Sequence, residues 1–141
     1  MAESQRTLVL VKPDGVRRGL AGEILARFER RGMRILGLKL VRPARSFVEE
    51  HYGEHRGKPF YAELVDFLTS GPVVAACVEA PDAIRVVRSM MGTTDPLDSA
   101  PGTIRGDYAT IIGQNVVHGS ADAEAAEREL KLWFDPSELV G

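Results

Sequence analysis

Leu8-Val9-Leu10-Val11, bounded by Arg6-Thr7 and Lys12, is the stretch that most limits what this chain can become. It has no polar alternation, so a strand made from it offers no face to water and has to be buried on both sides. Pro13-Asp14-Gly15 ends that strand with turn chemistry. Leu20, Ile24, Leu25 and Phe28 then share one helical face, with Glu23, Arg27 and residues 29–31 largely opposite, and Gly32 is a natural C-cap. Residues 33–41 return to strand character through Ile35, Leu38 and Leu40. Ser46-Phe47-Val48-Glu49 reads as a capping box, which predicts a helix running through His51-Tyr52. A second short helix is expected over residues 59–68, broken by Gly71-Pro72, and residues 73–78 make the third strand.

Pro81-Asp82 opens a further helix with proline near its first position. Ile84, Val87 and Met91 lie on its apolar face and Arg85 and Arg88 on another. Residues 92–106 have little apolar periodicity; a structureless loop of about 15 residues inside a compact domain tends to be functional. Val116-Val117 reads as a short strand ending at His118. Ser120 and Asp122 offer N-caps to a last helix, whose stripe is Ala126, Leu130, Trp133 and Phe134, before Asp135-Pro136 stops it.

Strands alternating with helices predict an α/β chain, a sheet covered by helices, in one domain over residues 1–141. Four strands suit a split β-α-β unit of ferredoxin-like type; a minimal parallel doubly wound sheet is the alternative, and spacing alone does not separate them. A hydrophobic fraction of 44% excludes a disordered tail, and a net charge of −2 argues against a broad basic surface for nucleic acid. The only cysteine, Cys77, falls in the third apolar run and reads as a buried thiol, not half of a disulfide. No apolar stretch is long enough to span a bilayer. Met1-Ala2-Glu3-Ser4-Gln5-Arg6 lacks the plan of a signal peptide, so a cytoplasmic setting is expected.

His118 lies between the last strand and the last helix, where free backbone N–H groups would suit an anion. A neutral imidazole there is a competent nucleophile if its other nitrogen is held by an acceptor. Glu129 is the candidate acceptor, with Ser120 able to relay the contact. The residues alone leave open a packed histidine that only caps the helix. Lys12, Arg88 and Arg105 sit at element ends or in the long loop; each alone reads as a surface charge, but together they suit the spread charge of phosphoryl transfer. Thr94 and Asn115 are neutral donors. Tyr52 reads as half-buried and Phe60 more readily as core than as a stacking platform. His51 and His55 read as solvated or structural, without metal-ligand spacing.

No G-x-x-x-x-G-K-[ST] loop, G-x-G-x-x-G, H-R-D or D-F-G occurs, so a kinase built on this chain belongs to neither common class. Asn115-Val116-Val117-His118-Gly119-Ser120 closely resembles the active-site signature of nucleoside diphosphate kinases. Lys12-Pro13-Asp14-Gly15, Glu50-His51-Tyr52, Ser70-Gly71-Pro72-Val73, Gly92-Thr93-Thr94-Asp95-Pro96 and Pro101-Gly102-Thr103-Ile104-Arg105-Gly106 resemble further motifs of that family, in the same order and over nearly the whole chain.

The resemblance implies a ferredoxin-like four-stranded antiparallel sheet covered by helices. It implies ping-pong transfer of a γ-phosphoryl group from a nucleoside triphosphate to a nucleoside diphosphate through a phosphorylated His118. It makes Glu129 and Ser120 the groups that orient His118. Lys12, Tyr52, Arg88, Thr94, Arg105 and Asn115 hold phosphates or sugar hydroxyls. Phe60 stacks on the base with Ile112 on its other side, and magnesium (Mg2+) rides on the phosphates without a protein cage. A homo-oligomer is implied, with a hexamer favoured over a tetramer. Ala121 departs from the signature, which usually has Asp at that position. The competing expectation is a catalytically silent nucleotide-binding protein on the same fold.

Overall fold

A computed structural model describes residues 3–141; Met1 and Ala2, which begin the segment read for a signal peptide, lie outside the described residues. The first strand, β1 (Ser4–Val11), has its last five residues buried, as an unbroken apolar run requires. Pro13-Asp14-Gly15 does not simply turn the chain. It opens a short helix, α1 (Pro13–Arg17), because proline at the first helical position has its φ preset and lacks an N–H that would go unused. Helix α2 (Ala21–Arg30) follows, burying Ile24 and Phe28 as its stripe predicts, and Gly32 takes φ 97° just past its end.

Strand β2 (Arg34–Val41) carries a bulge between Ile35 and Gly37. The bulge resets the alternation, and Leu38 and Leu40 end up 54% and 65% exposed on an edge strand, not in the core. Helix α3 (Arg45–His51) begins before Ser46, with Ala44 as an N-cap that makes no side-chain bond. The capping-box reading fails because Arg45, paired with Asp66 at 2.8 Å, is drawn into the first turn. Tyr52 caps the end of α3, and α4 (Tyr61–Leu68) starts after Phe60.

Strand β3 (Val73–Pro81) runs three residues past its apolar core. Pro81 pairs with Ser4 at the strand's end, where its missing donor does no harm, and does not start a helix. Asp82 turns the chain at φ 54° and α5 (Ala83–Met91) follows. The long loop is less structureless than its composition suggests. Asp95 caps a 3-10 turn, Pro96–Asp98, and Thr103 caps α6 (Ile104–Tyr108). Strand β4 (Val117–Gly119) is offset from the expected pair Val116-Val117, and α7 (Ala123–Trp133) is capped by Asp122, leaving Ser120 free for other bonds.

The sheet order is β2-β3-β1-β4 and every neighbouring pair is antiparallel. This is the ferredoxin-like arrangement and removes the parallel doubly wound alternative. Alternate residues of β1 serve two cores. Val9 and Val11 pack with Ile24, Phe28, Val87 and Met91 of α2 and α5. Leu8 and Leu10 pack with Val48, Val65, Leu68 and Trp133 of α3, α4 and α7, and Cys77 lies buried on this side. None of the helices among the described residues is long and apolar enough to cross a membrane.

Candidate active site

His118 sits in the middle of β4 opposite Leu10, on the face covered by α3 and α7. The helix N-terminus expected beside it is absent: α7 begins five residues later, at Ala123. What holds the ring is Glu129, buried on α7, whose Oε1 lies 2.8 Å from His118 Nε2. The Ser120 hydroxyl donates to the same oxygen at 3.0 Å and accepts the Leu8 N–H at 3.3 Å. A carboxylate against Nε2 keeps the proton there, so Nδ1 carries the free lone pair. Burial pushes the Glu129 carboxyl up, but the bond and charge of His118, the His51 ring and the Ser120 hydroxyl outweigh it and hold the group below its ordinary range.

Three cations gather along the segment leading into β4. Lys12, just past β1, gives its Nζ to Asn115 Oδ1 at 2.8 Å, and Asn115 Nδ2 donates to the Thr94 carbonyl at 3.1 Å. Arg88 Nη1 reaches the Gly119 carbonyl at 3.2 Å. Arg105, 4% exposed on α6, donates to the carbonyls of Thr93, Asn115 and Val117. None of these three cations forms an ion pair among the described residues. Burial, then the charge of Arg105, lower the Lys12 ammonium to about 8, against a smaller opposing effect of Asp14. Burial, then Arg88, lower Arg105 to about 10. Clustered positive charges without carboxylate partners among the described residues make a place where an anion is stabilised.

The other expected residues are placed less uniformly. Tyr52 is buried, not half-buried, and burial followed by the charge of Glu129 push its phenol up to about 12. Phe60 is not core; it stands 44% exposed at the start of α4, with Lys58 Nζ 5.8 Å from its ring centre. Ile112 is 57% exposed in the stretch before Asn115, and Thr94 is exposed.

Sequence reading missed the neighbourhood of His51. Its ring is buried, 5.1 Å from that of His118, and its Nδ1 accepts the Trp133 indole N–H at 3.0 Å. Burial, then the charge of His118, lower it to about 3, so it is neutral. The only advance signal was its position four residues after Phe47, on the face of α3 that buries Val48. One ligand atom each from His51, His118 and Glu129 lies within 4.8 Å of the others, a grouping that superficially suits a metal. Chemically it does not fit: the lone pair of His51 is taken by Trp133, and His118 shares its Nε2 proton with Glu129.

The family model described as nucleoside diphosphate kinase matches residues 5–139. A nucleoside diphosphate kinase of Thermus thermophilus is 60% identical over 96% of this chain and 99% of its own length. The fold superposes with a TM-score of 0.96 on a halophilic nucleoside diphosphate kinase from Halobacterium salinarum in complex with CDP, 52% identical over 99% of this chain and 93% of that one. A nucleoside diphosphate kinase family protein from Babesia bovis gives a TM-score of 0.94 at 48% identity, over 97% of this chain and 93% of that one.

Proposed function

The chain belongs to the nucleoside diphosphate kinase family, and on that premise we propose that it carries a γ-phosphoryl group from a nucleoside triphosphate to a nucleoside diphosphate by way of His118. The observation that carries this reading is the His118–Glu129 contact of 2.8 Å, which leaves Nδ1 free on a segment to which Lys12, Arg88 and Arg105 are all bonded. In the first half-reaction the Nδ1 lone pair attacks the γ-phosphorus in line. The bond to the β–γ bridging oxygen breaks and the electron pair leaves with the nucleoside diphosphate. The ring becomes positively charged as the N–P bond forms, and the Glu129 carboxylate stabilises that charge through Nε2–H. In the second half-reaction a terminal oxygen of the acceptor diphosphate attacks the same phosphorus and the N–P electron pair returns to the ring. No net proton is gained or lost.

Lys12, Arg88, Arg105 and Asn115 offset charge on the non-bridging oxygens, and Tyr52 and Thr94 complete the contacts to phosphate and sugar. Magnesium fits as a passenger of the nucleotide: Glu129 already holds His118 and Ser120, and Asp95 accepts the Leu97 N–H. When bound it supplies further neutralisation of the phosphates. Exposed Leu38 and Leu40 on the edge strand support a homo-oligomer, with a hexamer favoured. The buried, unpaired Cys77 thiol is compatible with a reducing, cytoplasmic setting.

The direct test is intact-protein mass after mixing with ATP and magnesium at alkaline pH, followed by GDP. One added phosphoryl group that disappears with GDP is expected. Nucleotide binding without any phosphoenzyme would replace this reading with a silent binder.

Phe60 and Ile112 are both exposed apolar side chains, and on this reading they take the two faces of the base. Stacking contributes about 1–3 kcal/mol and accepts any base. Phe60→Ala is therefore expected to weaken ADP, GDP, CDP and UDP by similar factors of roughly 5- to 100-fold. Stability should hardly change, because the ring is already 44% exposed. Equal Michaelis constants for the variant and the parent would remove Phe60 from the site.

A further inference from the structure

Val116 is fully buried and β-branched, yet it takes φ 60°, a left-handed conformation that such a residue adopts only under strain. The Val117 N–H donates back to the Asn115 carbonyl at 2.7 Å, which closes a three-residue γ-turn with positive φ at its centre, a rare and strained form. Each peptide group of that turn is tied from outside. The Val116 carbonyl accepts the Lys12 N–H at 2.9 Å. The Asn115 and Val117 carbonyls accept Arg105 Nε and Nη2 at 3.2 and 2.7 Å. The Val116 N–H donates to Asp14 Oδ2 at 3.2 Å.

Asp14 is the unexpected member. It is 3% exposed, and its Oδ1 has no hydrogen-bond partner among the described residues. Burying a carboxylate with one oxygen unpaired is unfavourable. A methyl carbon on neighbouring Gly15 would come within 3.0 Å of the Val116 carbonyl oxygen, so α1 is pressed against the turn. The turn separates two side chains that have to reach one place: Asn115, bonded to Lys12, and His118, bonded to Glu129. Relaxing Val116 to negative φ would swing one relative to the other.

We propose that Asp14 is a positioning residue for phosphoryl transfer, its carboxylate holding the strained turn at Val116 that aims Asn115 and His118 into one site. This rests on His118 being the nucleophile. Asp14 touches no reacting atom; it acts through the backbone of Val116. Glycine adopts positive φ freely, so with glycine at 116 the turn no longer needs Asp14.

The test is single-turnover phosphohistidine formation at saturating ATP and pH 6.5, for the parent, Asp14→Ala, Asp14→Asn, Val116→Gly and the Asp14→Ala/Val116→Gly double variant. Misplacing reacting groups by about 1 Å costs on the order of 100-fold. Asp14→Ala is expected to lower the rate constant by about that factor. Its amplitude per molecule of protein should stay near one, whereas a purely structural defect lowers amplitude and not rate. Asp14→Asn keeps an acceptor for the Val116 N–H and should stay within roughly fivefold of the parent. The double variant should lie within roughly fivefold of Val116→Gly alone. If Asp14→Ala does not fold, the last comparison decides. An Asp14→Ala rate equal to the parent's, an Asn variant as slow as the Ala variant, or a double variant about 100-fold below Val116→Gly would each overturn the proposal. A parent that forms no phosphohistidine would instead overturn the role of His118.

Discussion

His118→Ala is expected to abolish phosphoryl transfer while leaving a folded protein. Alanine keeps every backbone bond of β4, and the side chain it replaces is 21% exposed, so no sealed cavity opens. Glu129 loses one partner but keeps the Ser120 hydroxyl at 3.0 Å and Arg128 at 3.7 Å, so its charge is not orphaned. A stability loss of about 1–2 kcal/mol follows from the missing charged hydrogen bond. The rate should fall by at least about 10⁴-fold, because removing the nucleophile removes the covalent route and leaves only nucleotide binding. A coupled turnover assay beside a circular-dichroism melt checks both halves. Turnover within tenfold of the parent would refute covalent catalysis at His118, and a chain that fails to fold would mean the Glu129 contact stabilises the sheet far more than its geometry indicates.

The elements that pack by period were legible in the sequence. The unbroken run in β1 required two covered faces, and the structure supplies α2 and α5 on one and α3, α4 and α7 on the other. Strand direction was not legible from apolar spacing, which says nothing about register; the family resemblance implied an antiparallel sheet, and the ladders are antiparallel. Local end signals were less dependable. Pro81 and Ser46 look like helix starts in a short window, yet Pro81 is held by the ladder to Ser4 and Ser46 lies behind Arg45 and its partner Asp66. The structure brings His118, Glu129 and Ser120 around one carboxylate oxygen, the acceptor contact the residues suggested, but without the helix end expected beside the ring. The anchor is a buried glutamate and not a helix end. His51 and Asp14 escaped because their significance lies in contacts across 82 and 102 residues of chain, to Trp133 and Val116.

Arg105 shows how a site residue becomes inseparable from the fold. Its sequence context, a polar loop, predicts that Arg105→Ala harms transfer far more than folding. The structure revises that expectation, because the guanidinium is 4% exposed and three of its N–H groups hold the carbonyls of Thr93, Asn115 and Val117. Alanine leaves the Val117 carbonyl without its donor, Asn115 with only the Val117 N–H and Thr93 with only the Ser99 hydroxyl. The orphaned Val117 acceptor and the lost clamp on the Val116 turn should cost about 3–5 kcal/mol, a melting-point drop of roughly 10–20 °C for a domain of this size. Transfer by the fraction that remains folded should fall by about 10²–10³-fold, since the cation facing the phosphates is gone as well. Arg105→Lys separates the two roles. An ammonium restores positive charge but cannot reach three carbonyls in a planar fork, so it should recover part of the rate and little of the melting point. A ligand experiment completes the test. Burial and Arg88 depress Arg105 to about 10, so a bound triphosphate relieves repulsion that the free protein carries, and ATP should raise the parent's melting point more than that of Arg105→Ala. Equal shifts would confine Arg105 to the fold; a parent-like melting point in Arg105→Ala would confine it to the nucleotide.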